Sequence, residues 1–147
     1  MAITADRALP FLQSLNGGLV VEFEVGATEE IFRGAVVCED AGFASGFGTS
    51  QDFMGISLER VTGGASDGDN RVKVQIGGYA LITLASVALA NFGAGVYATD
   101  NQTFTLATTS SIAIGRIVHV PVTGTCWVKL RTPGEGVVQA NAFGVPA

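Results

Sequence analysis

The chain has 147 residues, a net charge of −5 and a mean hydropathy of +0.42, and this length suits one domain around one core. Only 14% of its residues are charged, against about 25% in an ordinary soluble domain, so much of its surface must meet a membrane or other subunits. An acidic chain without clustered Lys or Arg is poorly suited to a phosphate backbone, and nucleic acid is not expected as a partner.

In chain order, residues 1–18 read as an N-terminal arm, with the apolar segment Ala8-Leu9-Pro10-Phe11-Leu12 outside any periodic element. Asp6 and Arg7 stand where a signal peptide needs an unbroken apolar core, so no export is expected. "LVVEFEV" (19–25) places Glu22 and Glu24 on one face and Val21, Phe23 and Val25 on the other, a half-buried strand. "FRGAVVCED" (32–40) reads as a second strand, "GFASGFGTSQ" as a loop, and "FMGISLERV" (53–61) as a third strand. "TGGASDGDN" (62–70) has the composition of an exposed loop. "RVKVQI" (71–76) alternates, which predicts Arg71, Lys73 and Gln75 outward and Val72, Val74 and Ile76 inward. "YALITL" continues the sheet after a Gly77-Gly78 break of the kind a bulge makes.

Charge thins sharply from here: residues 1–73 carry 16 of the 21 charged side chains. The stretch "IGGYALITLASVALANFGA" (76–94) has no charge and is long enough to span a bilayer, for which about 20 residues are needed. Its internal glycines, Asn91 and the missing basic flank favour strands, and no membrane partner is expected. Ser86 is a candidate cap for a short helix ending near Asn91, with Gly93 just beyond. "GVYATDNQTFTL" (95–106) reads as a hairpin turning at Asp100-Asn101-Gln102, and "IAIGRIVHV" and "CWVKLR" as a last strand pair joined by "PVTGT". Residues 132–147 form a glycine- and proline-bearing tail. Many short strands with at most one short helix predict an all-β barrel or sandwich over residues 19–131.

Candidate chemistry is sparse. His119 is the single histidine, so any Ser–His–Asp or Cys–His mechanism would run through it, and its place between two valines suits a polar or subunit-contacting strand face. One His and two separated Cys lack the paired spacing of a zinc site. "DGDN" (67–70) resembles the start of a calcium loop, but position twelve would be Gly78 instead of a bidentate Glu. Glu22/Glu24 and Glu29-Glu30 are paired carboxylates on solvated or divergent positions. "GFASG" is not a nucleophile elbow, and Gly42, Gly46 and Gly48 lack the Lys-Ser/Thr of a phosphate loop. Cys38 and Cys126 are expected as buried thiols, with a bond between them left open. No enzyme, metal or cofactor is expected.

Four stretches in succession carry a family resemblance: "FRGAVVCEDAGF" (32–43), "FMGISLERV" (53–61), "RVKVQIGGYALI" (71–82) and "GAGVYATDNQTFTLATTSSIAIGRIVHV" (93–120), followed by the "WVKL" strand. Their order and spacing resemble the head decoration, or capsid cement, proteins of tailed bacteriophages. The resemblance implies a β-tulip-like barrel module on the outer surface of a virion, bound to the major capsid protein. It also implies self-association, as a trimer or alternatively a dimer, and no cofactor. The arm residues Ala8, Leu9, Pro10, Phe11 and Leu12 are expected to touch the shell or a neighbouring subunit. Tyr79, Phe92, Tyr97, Phe104 and Trp127 are expected to supply core and intersubunit packing. The alternatives are a tail-tube or baseplate component and a β-barrel carbohydrate-binding module, which would display exposed aromatics beside polar groups.

Overall fold

In the computed structural model, which describes residues 5–6, 18–48, 51–108 and 111–132, the chain is an all-β domain. The strands are β1 (Leu19–Glu24), β2 (Glu30–Ile31), β3 (Val36–Asp40), β4 (Phe43–Ser45), β5 (Asp52–Ser57), β6 (Val61–Thr62), β7 (Arg71–Ile76), β8 (Tyr79–Thr83), β9 (Gly95–Ala98), β10 (Phe104–Thr105), β11 (Ile112–Val122) and β12 (Thr125–Leu130). One antiparallel sheet runs β1-β7-β5-β3-β4 and a second runs β10-β9-β11-β12-β8, while β2 and β6 form a small ladder.

The two sheets face each other across the main core. Val36, Cys38, Phe53 and Ile56 of the first sheet pack in one cluster with Ala80, Ile82, Val96, Ile114, Ile117, Cys126, Val128 and Leu130 of the second. Each large aliphatic side chain buried this fully contributes about 1.5–3 kcal/mol. The opposite face of the first sheet holds a second cluster of Val25, Ile31, Val37, Ala44, Met54, Val72 and Val74. Around it the first sheet curls until Val25 meets Ala44 in a single parallel bridge, with the Gly26 N–H donating to the Ala44 carbonyl at 3.0 Å. The result is a sandwich with one curled sheet; no closed barrel forms.

Several local readings change. Phe43–Ser45, read as loop, is strand β4, because Ala41 and Gly42 (φ 53° and 91°) make a two-residue hairpin turn that returns the chain along β3. The strand read from Phe32 begins only at Val36, since Gly34 at φ 81° breaks the extended run. The strand read from Phe53 to Val61 divides into β5 and β6 where Ser57 donates its hydroxyl to the Glu59 carbonyl and bends the backbone. Gln75 is buried, not outward: its side-chain amide donates to the Gly77 carbonyl at 3.2 Å, and Ile76 is left half-buried.

Gly77 and Gly78, both at positive φ, are the corner at which the chain leaves the first sheet and enters the second. Real register shifts occur elsewhere, within β5 beside Gly55 and within β11 at Ile114 and Val118. The apolar run 76–94 forms β8, a loop and a 3₁₀ turn over Leu89–Asn91. Among the described residues, no helix is long and apolar enough to cross a membrane. Ala88, and not Ser86, precedes that turn; the Ala88 N–H donates to Asn91 Oδ1 at 2.9 Å, and Gly93 follows at φ 85°.

The hairpin of β9 and β10 turns as expected. Partial burial pushes the Asp100 pKa up, but the Gln102 and Thr103 N–H groups, at 2.9 and 2.8 Å, hold the carboxyl below the ordinary Asp range.

Candidate interaction surface

The outer face of the second sheet is built by strand alternation. Cys126, Val128 and Leu130 point into the core, so Thr125, Trp127 and Lys129 point away from it. Register then sets three cross-strand rows on that outer face: Tyr79–Lys129–Arg116, Leu81–Trp127–His119 and Thr83–Thr125–Val122. Tyr79, Leu81 and Trp127 are half-buried, while Lys129 and His119 are exposed. The five strands of this sheet contain Arg116, His119 and Lys129 and no carboxylate.

One end of the sheet is apolar. The Gly93 N–H donates to the Ile117 carbonyl at 2.9 Å and the Gly124 N–H to the Val87 carbonyl at 3.2 Å, which holds the 85–94 segment against β11 and the β11–β12 turn. Leu89, Phe92 and Val122 stand at this end with 76, 70 and 61% of their surface exposed.

The first sheet has the opposite character. Along its β1–β7 edge, charges match across the register, Glu22 with Lys73 and Glu24 with Arg71. At its other end Glu39 stands directly opposite Asp52, with Asp40 next along β3. A shallow cleft of about 150 Å³ near this end is lined by Gly26, Glu29, Asp40, Phe43 and Asp67 among others. Its carboxylates fasten loops: Glu29 Oε1 accepts the Gly46 N–H at 2.9 Å and Asp67 Oδ1 accepts the Ala27 N–H at 2.8 Å.

The candidate chemistry is not assembled. His119 lies on the outer face beside Trp127, and Cys126, one residue away on β12, is buried on the other side of the sheet. Both cysteines are free. Burial pushes each thiol up to about 11, for Cys38 against a hydrogen bond from the Gly48 backbone and with help from the Asp52 charge. In "DGDN", Asp69 accepts the Ser66 N–H and Asn70 donates to the Thr62 carbonyl, which pins the loop. Among the described residues, no group of three or more His, Cys, Asp or Glu is arranged to hold a metal.

Of the residues singled out in the sequence, Tyr79 and Trp127 share the outer face of the second sheet and Phe92 belongs to its apolar end. Tyr97, opposite Ala113 and Thr105, is only 9% exposed, and Phe104 is buried in the main core. Ala8, Leu9, Pro10, Phe11 and Leu12 lie outside the described residues. Just before them, Asp6 accepts the Arg33 N–H at 3.2 Å and approaches Arg60 at 4.0 Å; Arg60 also pairs with Glu30 at 2.7 Å and covers the Phe32 ring. The sequence reading missed Leu89, Val122 and the Lys129–Arg116 row. The available signal was the sign of the charges after residue 74, where the described cations Arg116, Lys129 and Arg131 face a single described carboxylate, Asp100.

No protein-family model matches the chain, and no curated protein matches it. A chain in the solved capsid of Myoviridae phage XM1 has the same fold, with a TM-score of 0.59 and 19% identity over 89% of this chain and 94% of that one.

Proposed function

We propose that this chain is a structural protein of a tailed-phage virion that decorates the outside of the head and stabilises it by bridging capsid subunits. The observation that carries this reading is the fold shared with a chain of a phage capsid over nearly the whole of both molecules. The scarcity of charge supports it, because a surface with so few ions is accounted for by contact with other subunits. The unassembled His, Cys and carboxylate groups are in keeping with a role in binding.

In this reading residues 19–131 are the body, and the arm through Ala8–Leu12 reaches the shell or a neighbouring subunit. Tyr79, Phe92 and Trp127 supply contact area, with Tyr97, whose strand neighbours Val96 and Ala98 point into the main core, on the outer side of β9. Several modest contacts made at once hold the protein multivalently, and binding the closed shell in preference to the open one stabilises the closed shell. The test is to add purified protein to heads lacking it, then follow co-sedimentation and head disruption on heating. Retention with a raised disruption temperature is expected. Failure to bind, or labelling on the tail in electron micrographs, would overturn the reading.

A further inference from the structure

We infer that the segment 133–147 folds back as a strap across the outer face of the second sheet and covers Tyr97 and Ala113, with Glu135 paired to Arg131. The argument starts from uneven cover on that face. Val96 and Ala98 point into the main core, so Tyr97 points outward, across from Ala113. Yet Tyr97 and Ala113 are only 9% and 8% exposed, no more than the core residues Phe104 and Ile112. On the same face Lys129 and His119 are exposed, and Trp127 and Tyr79 are half-buried. Half of the face is thus covered and half is open. Arg131, which points outward after core-facing Leu130, lies on the covered half and donates from Nη1 to the Ala113 carbonyl at 3.4 Å. Its Nε is buried with no hydrogen-bond partner among the described residues. A guanidinium donor shut off from water in this way is completed by an acceptor laid over it.

The chain leaves the sheet at this place. The Arg131 N–H donates to the Ile114 carbonyl at 2.8 Å, which brings residue 132 beside the Ala113 row. Thr132-Pro133-Gly134-Glu135 has the signature of a type II turn, with proline second and glycine third. A chain reversed here cannot pair beside β12, because β11 and β8 hold both of its edges. The core side is filled by Cys126, Val128 and Leu130. The outer face is the course that remains. From β12 to β9 is two strand spacings, about 10 Å, which about three or four extended residues span. The composition fits as well: Glu135 is the single acidic side chain after Asp100, and Val137, Val138 and Phe143 are apolar cover for Tyr97. The strap leaves Trp127, His119 and Lys129 open to a partner. This inference stands apart from the capsid reading and is tested without any shell.

The experiment places a nitroxide on Ala140→Cys in the full chain, where Cys38 and Cys126 are wholly buried and escape labelling. Amide resonances of Tyr97 and Ala113 are expected to lose intensity, while those of Glu39 and Asp52, on the far side of the sandwich, keep theirs. Glu135→Gln should weaken closure about ten-fold, as loss of one charged hydrogen bond implies. Mixing nitroxide-bearing chains with isotope-labelled chains that lack the nitroxide should leave every intensity unchanged, because the contact is made within one chain. In a chain ending at Thr132, nitration of Tyr97 by tetranitromethane should rise about ten-fold as its local protection is lost. Tyr79 is the internal comparison and should change little, with circular dichroism reporting the fold. If the shortened chain unfolds, the nitroxide reading on the full chain decides. Unchanged Tyr97 and Ala113 intensities, or loss seen in the mixture, as a second copy would give, would overturn the inference. So would a Glu135→Gln variant that closes like wild type, or Tyr97 protection that survives truncation, as cover by residues 1–17 would give.

Discussion

At Ala41 an L-residue holds φ 53°, a conformation that costs a side chain with a Cβ about 1–2 kcal/mol. Ala41→Gly, or Ala41→Asn to match the preference of this hairpin turn, should raise stability by about 1 kcal/mol and Tm by about 2–4 °C. Calorimetry reads the difference. Gly115 presents the reverse case, because a Cβ there would lie 2.2 Å from the Lys129 carbonyl oxygen and 2.7 Å from Val128 Cγ1. Backbone cannot yield as a flexible side chain does, so Gly115→Ala should cost about 3 kcal/mol or more in urea unfolding. Gly46→Ala meets Glu29 Oε1 at 3.5 Å and the Glu30 carbonyl oxygen at 4.0 Å, both ordinary contacts, and should stay within about 0.5 kcal/mol. The thiols of Cys38 and Cys126 set a pH dependence. Their protons leave the unfolded chain near pH 9 and the folded one near 11. Their contribution is therefore complete below pH 9 and lost as the pH climbs to 11. A Cys38→Ala, Cys126→Ala double variant should show a smaller decline over that window.

At the scale of elements, the tip formed by the 3₁₀ turn and the β11–β12 turn separates folding from attachment. Leu89 and Phe92 bury little inside the chain. Leu89→Ser with Phe92→Ser should leave the unfolding midpoint nearly unchanged, within about 1 kcal/mol, yet weaken retention on heads in a sedimentation assay. Unchanged retention would show that the tip is not used there. Elements were legible in the sequence where period and turn chemistry agreed. The β9–β10 hairpin was read from Asp100-Asn101-Gln102, and the Asp100 carboxylate does cap its turn. Strand β7 was read from alternation, but Gln75 escaped the rule because its amide is satisfied locally by the Gly77 carbonyl. Strand β4 was missed because "GFASG" is short and glycine-flanked, and only its pairing with β3 makes it a strand.

At the scale of the whole molecule, the all-β class, as a barrel or sandwich, followed from many short alternating segments, whereas the assignment of strands to the two sheets did not. Which strands share a sheet depends on the corner at Gly77-Gly78 and on the Val25–Ala44 bridge. Both are long-range facts that no local window contains. The interaction surface was legible only in outline. Trp127 and Tyr79 were noticed as aromatics, but their sharing a face with Lys129 and Arg116 requires the register of three strands.

The placement of the two cysteines, Cys38 in the first sheet and Cys126 in the second, both wholly enclosed, has a practical outcome. Both face the same main core, so an added alkylating reagent can mark either one only after the two sheets have parted. Mass spectrometry of peptides from a timed reaction would then tell whether the two thiols become reactive together, as when the sandwich opens as one body, or one after the other, as when it peels.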